Sequence, residues 1–441
     1  MKRIFILFSI TAFVMMPISA HADEETLKKI LSEVQSLKQR VSDLENVVGS
    51  QANVIKSQAN EISEYRKKFA GVDNIKEESE GVLAEYGLKI AAGATSIVQV
   101  TSGANADGLS GQGKDDVTDG SYSVDIEIEK EFGEGIAFLH LETGNGAGVT
   151  DELKVFSNVN RDQDNSGNAV SVTEMFYETH LFGQDMTSFT FGKIDPTVYI
   201  DTNEYANDET TQFLGEIFRN NPTIEFPDNG AGVRLGIEPI EDLEIQVIAS
   251  DGDGSASPED LFNTIFGAGQ INLKKGLFGG EGNIRAYGWI NDTAHTKWLH
   301  QLDDQETGYG FGLSIDQELT ELVGIFLRYG WQNPEVTMDT TSFSLEHAWS
   351  AGMQIAGEPW GRENDIFAIA YGQAIPSDEY KTANSLVADP ESHLEAYYSF
   401  YINDHLTLSP DLQVIWNPYG GDAALGDDTI VVGGARAQID F

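Results

Sequence analysis

From residue 82 onward the chain runs in segments of about ten residues in which apolar and polar side chains alternate. Successive side chains of a strand point to opposite faces, so strict alternation marks a sheet with one apolar and one wet face. Tyr122, Val124, Ile126 and Ile128 alternate with Ser123, Asp125, Glu127 and Glu129. Leu243, Ile245, Val247 and Ala249 alternate with Glu244, Gln246, Ile248 and Ser250. Leu406, Leu408, Pro410, Leu412, Val414 and Trp416 alternate with Thr407, Ser409, Asp411 and Gln413. The charges in the second set of each segment are costly against lipid, so that face borders water.

The connections have a rhythm of their own. Short links fall near 131–134, 183–187, 238–242, 276–280, 316–319, 356–364 and 403–405. Long polar links fall at 101–119, 143–170, 195–230, 251–267, 291–307, 331–342, 373–390 and 417–429. Seven short and eight long links separate sixteen strands and leave both ends of the array on the short-link side. Short turns on one rim and long loops on the other are the build of outer-membrane barrels. An all-β transmembrane barrel of about sixteen antiparallel strands is therefore expected over 82–441. A soluble array of β-sandwiches would alternate too, but would not keep its long loops to one side. The alternation persists through Ala435, Ala437 and Ile439 to a terminal Phe441, as in the closing strands of bacterial barrels.

The first residues suggest export. Lys2 and Arg3 precede an apolar run over 4–16, Pro17 breaks it, and Ala20-His21-Ala22 has the small-x-small form of a cleavage site. Residues 1–22 read as a secretory signal peptide. The apolar run is too short to span ~30 Å of hydrocarbon as an uncleaved anchor.

Residues 23–70 change period. Leu27, Val34, Val41, Val48, Ile55, Ile62 and Phe69 occupy one seam position; Ile30, Leu37, Leu44, Gln51, Gln58 and Tyr65 occupy the other. This is about six heptads of an α-helical coiled coil, a rod of roughly 60–65 Å. So narrow an apolar stripe needs partners, which predicts a homo-oligomer. β-branched residues at one seam position with Leu at the other lean toward two strands, and Gln51 and Gln58 weaken that lean. The alternative is a single helix lying on the barrel's periplasmic end. Residues 71–81, with Glu77, Glu78 and Glu80, read as a linker, and the rod belongs in the periplasm, where peptidoglycan is a possible partner.

Charge and composition exclude several classes. The formal net charge is −44 and there is no cysteine. Nucleic acid is excluded as a partner because its phosphates require Lys and Arg. Disulfides, thiolate metal sites and cysteine nucleophiles are excluded as well. No G-x-S-x-G, H-E-x-x-H or phosphate-binding glycine loop occurs, so no enzyme is expected.

Two stretches are similar to the carbohydrate-selective porin family (OprB-type). One begins Phe191-Gly192-Lys193-Ile194-Asp195-Pro196, continues from Asp201 to Phe213, and ends Phe226-Pro227-Asp228-Asn229-Gly230. The other is Leu406-Thr407-Leu408-Ser409-Pro410-Asp411-Leu412-Gln413-Val414-Ile415-Trp416-Asn417-Pro418. The resemblance covers the barrel. It implies a sixteen-stranded porin, often trimeric, passing small hydrophilic solutes, chiefly carbohydrates, passively across the outer membrane and without a cofactor. The N-terminal coiled coil lies outside the core family pattern. Porins with added N-terminal domains include members implicated in ion uptake, so a cation or metal-ion pore is the alternative. A structural tether fastening the outer membrane to the cell wall is a third reading.

The long link 195–230 is the third on its side and is expected to fold inward and narrow the pore. It carries Asp195, Asp201, Glu204, Asp208, Glu209, Glu216, Glu225 and Asp228 against Arg219. By parity Arg234, Arg285, Arg328, Arg436, Asp411, Tyr287, Trp289 and Phe326 face the lumen. Arginines opposite an acidic loop would set a transverse field, and aromatic faces beside them suit sugars. The alternative is that these arginines pair with lumen carboxylates and stiffen the wall. Asp162, Asp164 and Ser166 have calcium-loop spacing, although position twelve is Thr173 rather than Glu.

Overall fold

The computed structural model describes residues 86–441 except 106–115, 165, 182–185, 254–260, 301–303, 339–342 and 422–428, with isolated helical positions at 35, 36, 38, 39 and 83. The signal peptide and linker, and the coiled coil apart from those four helical positions, lie outside the described residues.

Among the described residues sixteen antiparallel strands close into one barrel. They are β1 (Leu88–Ser102), β2 (Thr118–Phe132), β3 (Gly135–Asn145), β4 (Ser171–Thr179), β5 (Thr187–Ile194), β6 (Gly230–Ile240), β7 (Leu243–Asp251) and β8 (Ile265–Leu273). The second half is β9 (Gly282–Thr296), β10 (Asp304–Thr320), β11 (Val323–Gln332), β12 (Leu345–Ala356), β13 (Ile366–Pro376), β14 (Glu391–Asn403), β15 (Leu406–Trp416) and β16 (Ile430–Asp440). Each strand pairs with its sequence neighbour, and β16 closes on β1 from Gly93 opposite Asp440 to Ser102 opposite Val431. Closure leaves no sheet edge, so the backbone polar groups of the wall are paired within the sheet, as a hydrocarbon surrounding demands. No described helix is long and apolar enough to cross a membrane.

Side-chain parity follows the sequence. On β9, Arg285, Tyr287, Trp289 and Asn291 are buried inside while Ile290 is exposed on the outer wall. On β7, Gln246, Ile248 and Ser250 are buried, and Val247 is exposed. Exposed Val98, Phe191, Val247, Ile271, Ile290, Phe311, Leu327 and Leu412 make the outer face apolar.

Several boundaries differ from the sequence reading, and two of them change how lumen residues are assigned. The turn expected at 316–319 lies between Thr320 and Val323. Asp316 and Gln317 look like turn residues but are buried lumen residues, with Asp316 paired to Arg285 and Gln317 donating to the Glu281 carbonyl. The long link expected at 291–307 shrinks to 297–303, because the β9–β10 hairpin zips further outward than its polar residues suggest.

Candidate conduction pathway

The third long loop, residues 195–229, folds into the barrel. It contains a 3-10 turn (Pro196–Val198) and a one-turn helix α1 (Glu216–Arg219). Its polar atoms dock on the inner faces of strands from β8 round to β16. The Asp201 amide donates to Gln270 of β8 at 2.9 Å, and Asn203 donates to Ser314 of β10 at 3.1 Å. Arg328 of β11 donates to the carbonyls of Phe218 and Asp201 and to Asn207. Its Nε also lies 3.2 Å from an Asp201 carboxylate oxygen, an ion pair lacking hydrogen-bond geometry, with both side chains fully buried. Glu395 of β14 accepts from the Leu214 and Gly215 amides at 2.7 and 2.8 Å. Arg436 of β16 donates to the carbonyls of Glu209 and Gln212 at 2.7 and 2.8 Å.

Apolar packing reinforces these anchors. Phe213, Ile217 and Phe218 of the loop pack with Phe326, Ala368, Ala370 and Tyr397 of the wall. Ile200 and Ile224 pack with Ile194, Ile248, Phe266, Tyr287 and Trp289. Room for the loop comes from inward glycines of β11: a Cβ at Gly324 would strike the Tyr205 ring, and one at Gly330 would strike Thr223.

The second long loop, residues 146–170, also turns inward, which the sequence reading missed. The Val159 carbonyl accepts from Gln99 of β1 and Gln413 of β15, at 3.1 and 2.8 Å. Glu391 of β14 accepts from the Phe156 and Ser157 amides at 2.9 and 3.0 Å. The two loops pair with each other: the Arg161 amide donates to the Leu214 carbonyl, and the Glu216 amide to that of Asn158. A signal was available, because a solvated loop has no use for Val149, Leu153, Phe156 and Val159, all of which are buried.

Among the described residues, two of the open chambers are lined by these loops. The inner one, about 910 Å3, lies between the loops and the inner faces of β1 to β5 and β16. Its lining holds eleven carboxyl groups, from Asp125, Glu127, Glu142, Asp162, Asp164, Glu174, Asp195, Asp208, Glu209, Asp228 and Asp440. Against them stand three full cations, Arg161, Lys193 and Arg219, and His140. The outer chamber, about 520 Å3, is lined by both inward loops with Met338 and Phe343. Arg161, Gln163 and Asp228 border both chambers and so form the neck between them.

Charge at the neck is tuned by the loops. Burial alone would lower the Arg161 guanidinium, but Glu209, Glu216, Asp195 and Asp228 override it and raise its proton affinity. Burial would raise Glu209, but Arg219 and Arg161 hold its carboxyl below the ordinary value. Asp162 is pushed up to about 8, by burial first and by the nearby Glu209 charge next.

Of the residues singled out from sequence, Arg219 and Glu209 line the inner chamber as an ion pair at 2.6 Å. Glu216 lines the outer chamber. Arg234, Arg285, Tyr287, Trp289, Arg328, Asp411 and Arg436 all face inward, but each is 8% exposed or less. Arg285 pairs with Asp316, Arg234 lies 3.3 Å from Glu178, and Asp411 accepts from Gln413. Tyr287 and Trp289 pack under the loop, so the sugar-facing aromatics expected there are covered. Asp162 accepts from Ser123 at 3.0 Å and Asp164 accepts from Ser166, while Thr173 sits on β4. Among the described residues no group of three His, Asp or Glu is placed to hold a metal ion.

A closed barrel with two inward loops and a charged lumen is the build of a diffusion channel. The family model described as carbohydrate-selective porin, OprB family, matches residues 119–441. The chain belongs to that family. The high-pH structure of Pseudomonas putida OprB superposes with a TM-score of 0.69 at 14% identity, covering 82% of this chain and 96% of that one. The outer-membrane channel DcaP of Acinetobacter baumannii gives a TM-score of 0.52 at 12% identity, covering 80% of this chain and 97% of that one. Porin AaxA of Chlamydia abortus is 22% identical over 248 residues, 54% of this chain and 51% of the relative. An uncharacterised Aquifex aeolicus protein is 26% identical over 224 residues, 51% of this chain and 58% of the relative. The chain thus spans about half the length of these curated relatives.

Proposed function

We propose that this porin passes small hydrophilic solutes, chiefly uncharged carbohydrates, passively through the outer chamber, the neck and the inner chamber. The observation that carries the reading is the inner chamber's ten acidic side chains besides the protonated Asp162, against three full cations. A narrow lumen lined by one sign of charge repels solutes of that sign and concentrates the opposite one. Anionic sugars are therefore disfavoured, neutral sugars pass, and cations are preferred among ions. The cation-pore reading is not a rival here, because one lumen performs both tasks.

The heptads of residues 23–70 support a periplasmic coiled coil that holds the porin as a homotrimer, a state the family resemblance also implies. Contact of that rod with peptidoglycan would add a tethering role.

The test is planar-bilayer recording of the purified mature protein under a KCl gradient. A reversal potential of cation-selective sign supports the reading. An anion-selective sign removes the charge-filter argument. Absence of openings from folded, heat-modifiable protein would remove the channel and favour the tether.

A further inference from the structure

The return limb of the third loop, with Asn221, Ile224, Glu225 and Asp228, lines the outer chamber. Within it Glu225 reaches His295, which stands at the end of β9 next to the long link. His295 Nε2 lies 2.8 and 3.0 Å from the two Glu225 carboxylate oxygens. The two side chains are 1% and 8% exposed. On the other side of the ring, Nδ1 lies 3.2 Å from the Glu306 carbonyl oxygen of β10. The register of β10 against β9 is irregular at Glu306, and such irregularities re-aim local groups. Gly308 gives the pair its room, because a Cβ there would lie 2.7 Å from Glu225 Oε2 and 3.0 Å from His295 Nε2.

Both ring nitrogens therefore face oxygens that can only accept. A neutral imidazole has one N–H and one lone pair, whereas the imidazolium has two N–H groups. Only the imidazolium can donate to Glu225 and to Glu306 at once. Loss of the proton turns one of the two contacts into a lone pair facing an oxygen, and it leaves the buried Glu225 charge without its cation. Among the described residues no other charged side chain contacts the ring. Glu306 sends its carboxylate to Lys297 at 2.9 Å, which Glu335 approaches at 3.7 Å. Asp292 is exposed and accepts from the Ile265 amide. Glu216, Asp228 and Asp253 share the chamber lining with Glu225.

We propose that His295 is a proton-operated latch that holds the return limb of the third loop against the wall and so keeps the outer chamber open. The latch is closed while the ring carries its proton. As pH rises and the proton leaves, the limb loosens into the chamber. This is the sense expected of a cation stabilised by its site, whose contribution is present at acid pH and lost as pH rises. His295 is a positioning residue, since it acts through Glu225. The latch works in the same way whether sugars or cations pass, so it stands apart from the solute reading.

The experiment is hydrogen exchange on the full protein in bilayers, with rates expressed relative to an unstructured chain at the same pH. The reporters are the Thr223 and Ile224 amides, which donate to the side-chain and backbone oxygens of Asn221, both at 3.0 Å. Between about pH 5.5 and about pH 9 their protection should fall at least about 10-fold, the worth of one charged hydrogen bond, while amides of β11 and β12 keep theirs. His295→Gln can donate at only one of the two contacts and should give the low protection at both pH values. Glu225→Gln can donate to a bare ring nitrogen or accept from a protonated one, so its protection should not change with pH. A wild-type change below about 2-fold, or a step that persists in either variant, overturns the latch. In KCl recordings His295→Gln should show at about pH 5.5 the brief closures that wild type shows at about pH 9. A variant channel as steady as acid wild type overturns the link between latch and chamber.

Discussion

Arg328→Met tests whether the third loop is held inside the barrel by the buried charge pair on β11. Arg328 and Asp201 have no exposed side-chain surface, and Arg328 also holds the Phe218 carbonyl and the Asn207 side chain. Removing the guanidinium leaves the Asp201 carboxylate buried without its cation. Breaking such a pair from one side costs about 3–5 kcal/mol. Each 1.4 kcal/mol is a decade, so the docked-to-undocked ratio of the loop should fall by roughly two to three and a half decades. The wall should survive, because its strands pair independently of the loop. The assay is native-state hydrogen exchange. The Asn221 amide, which donates to Asp201 at 2.7 Å, and the Leu214 amide, which donates to Glu395, report loop opening. Both should exchange at least about 100-fold faster, while amides of β11 and β12 do not change. Arg328→Met combined with Asp201→Asn should recover a large part of the loss, because the stranded charge is gone. If the loop amides of Arg328→Met exchange within about 3-fold of wild type, the pair does not hold the loop and the reasoning fails.

Asp162 supplies a pH prediction. Its carboxyl, raised to about 8, is neutral below that pH and adds a charge to the inner chamber above it. Cation selectivity should step up with a midpoint near pH 8, and Asp162→Asn should abolish the step; an unchanged step in that variant sinks the assignment. The same raised value means that Asp162 favours the folded state most at acid pH and that this contribution is lost as pH rises through about 8. Glu391→Gln weakens charged hydrogen bonds to the Phe156, Ser157 and Tyr419 amides, at about 1.5–3 kcal/mol for bonds to a charged group. Exchange at those three amides should accelerate at least about 10-fold, and unaltered protection would refute the anchor. Arg219→Ala, which frees the paired Glu209 in the inner chamber, should increase cation selectivity, whereas Arg285→Ala should lower the heat-modification midpoint and leave selectivity alone. Equal effects of the two on reversal potential would refute the division between lining and wall.

The barrel was legible in the sequence because its two signals are physical and repeated. A lipid-facing wall forces parity, and one rim of short turns forces a rhythm of link lengths. Both signals survived at β9, where Arg285, Tyr287 and Trp289 face inward as their spacing requires. Parity assigns a face, however, and does not say what covers that face. Seven of the ten lumen candidates lie under the inward loops at 8% exposure or less, and only coordinates reveal the cover. The neck residues Arg161 and Gln163 were hidden for a related reason. They sit in the second loop, whose inward course depends on partners as remote as Gln413 and Glu391, more than two hundred residues away in the chain.

The arginines show why counting lumen charges misleads. Arg234, Arg285, Arg328 and Arg436 suggest a basic stripe across the lumen, yet each is consumed by a carboxylate, a carbonyl or a side-chain oxygen of the loops or wall. The field a solute meets is set by the charges left over. Those are chiefly carboxylates, and they gather where β1 to β5 meet the inward loops. The excess of acid in the whole chain, −44 in formal charge, is therefore expressed in the lumen rather than spread over the surface alone. Arginine here holds the inward loop in place, and the carboxyl groups it leaves unpaired set the charge of the inner chamber.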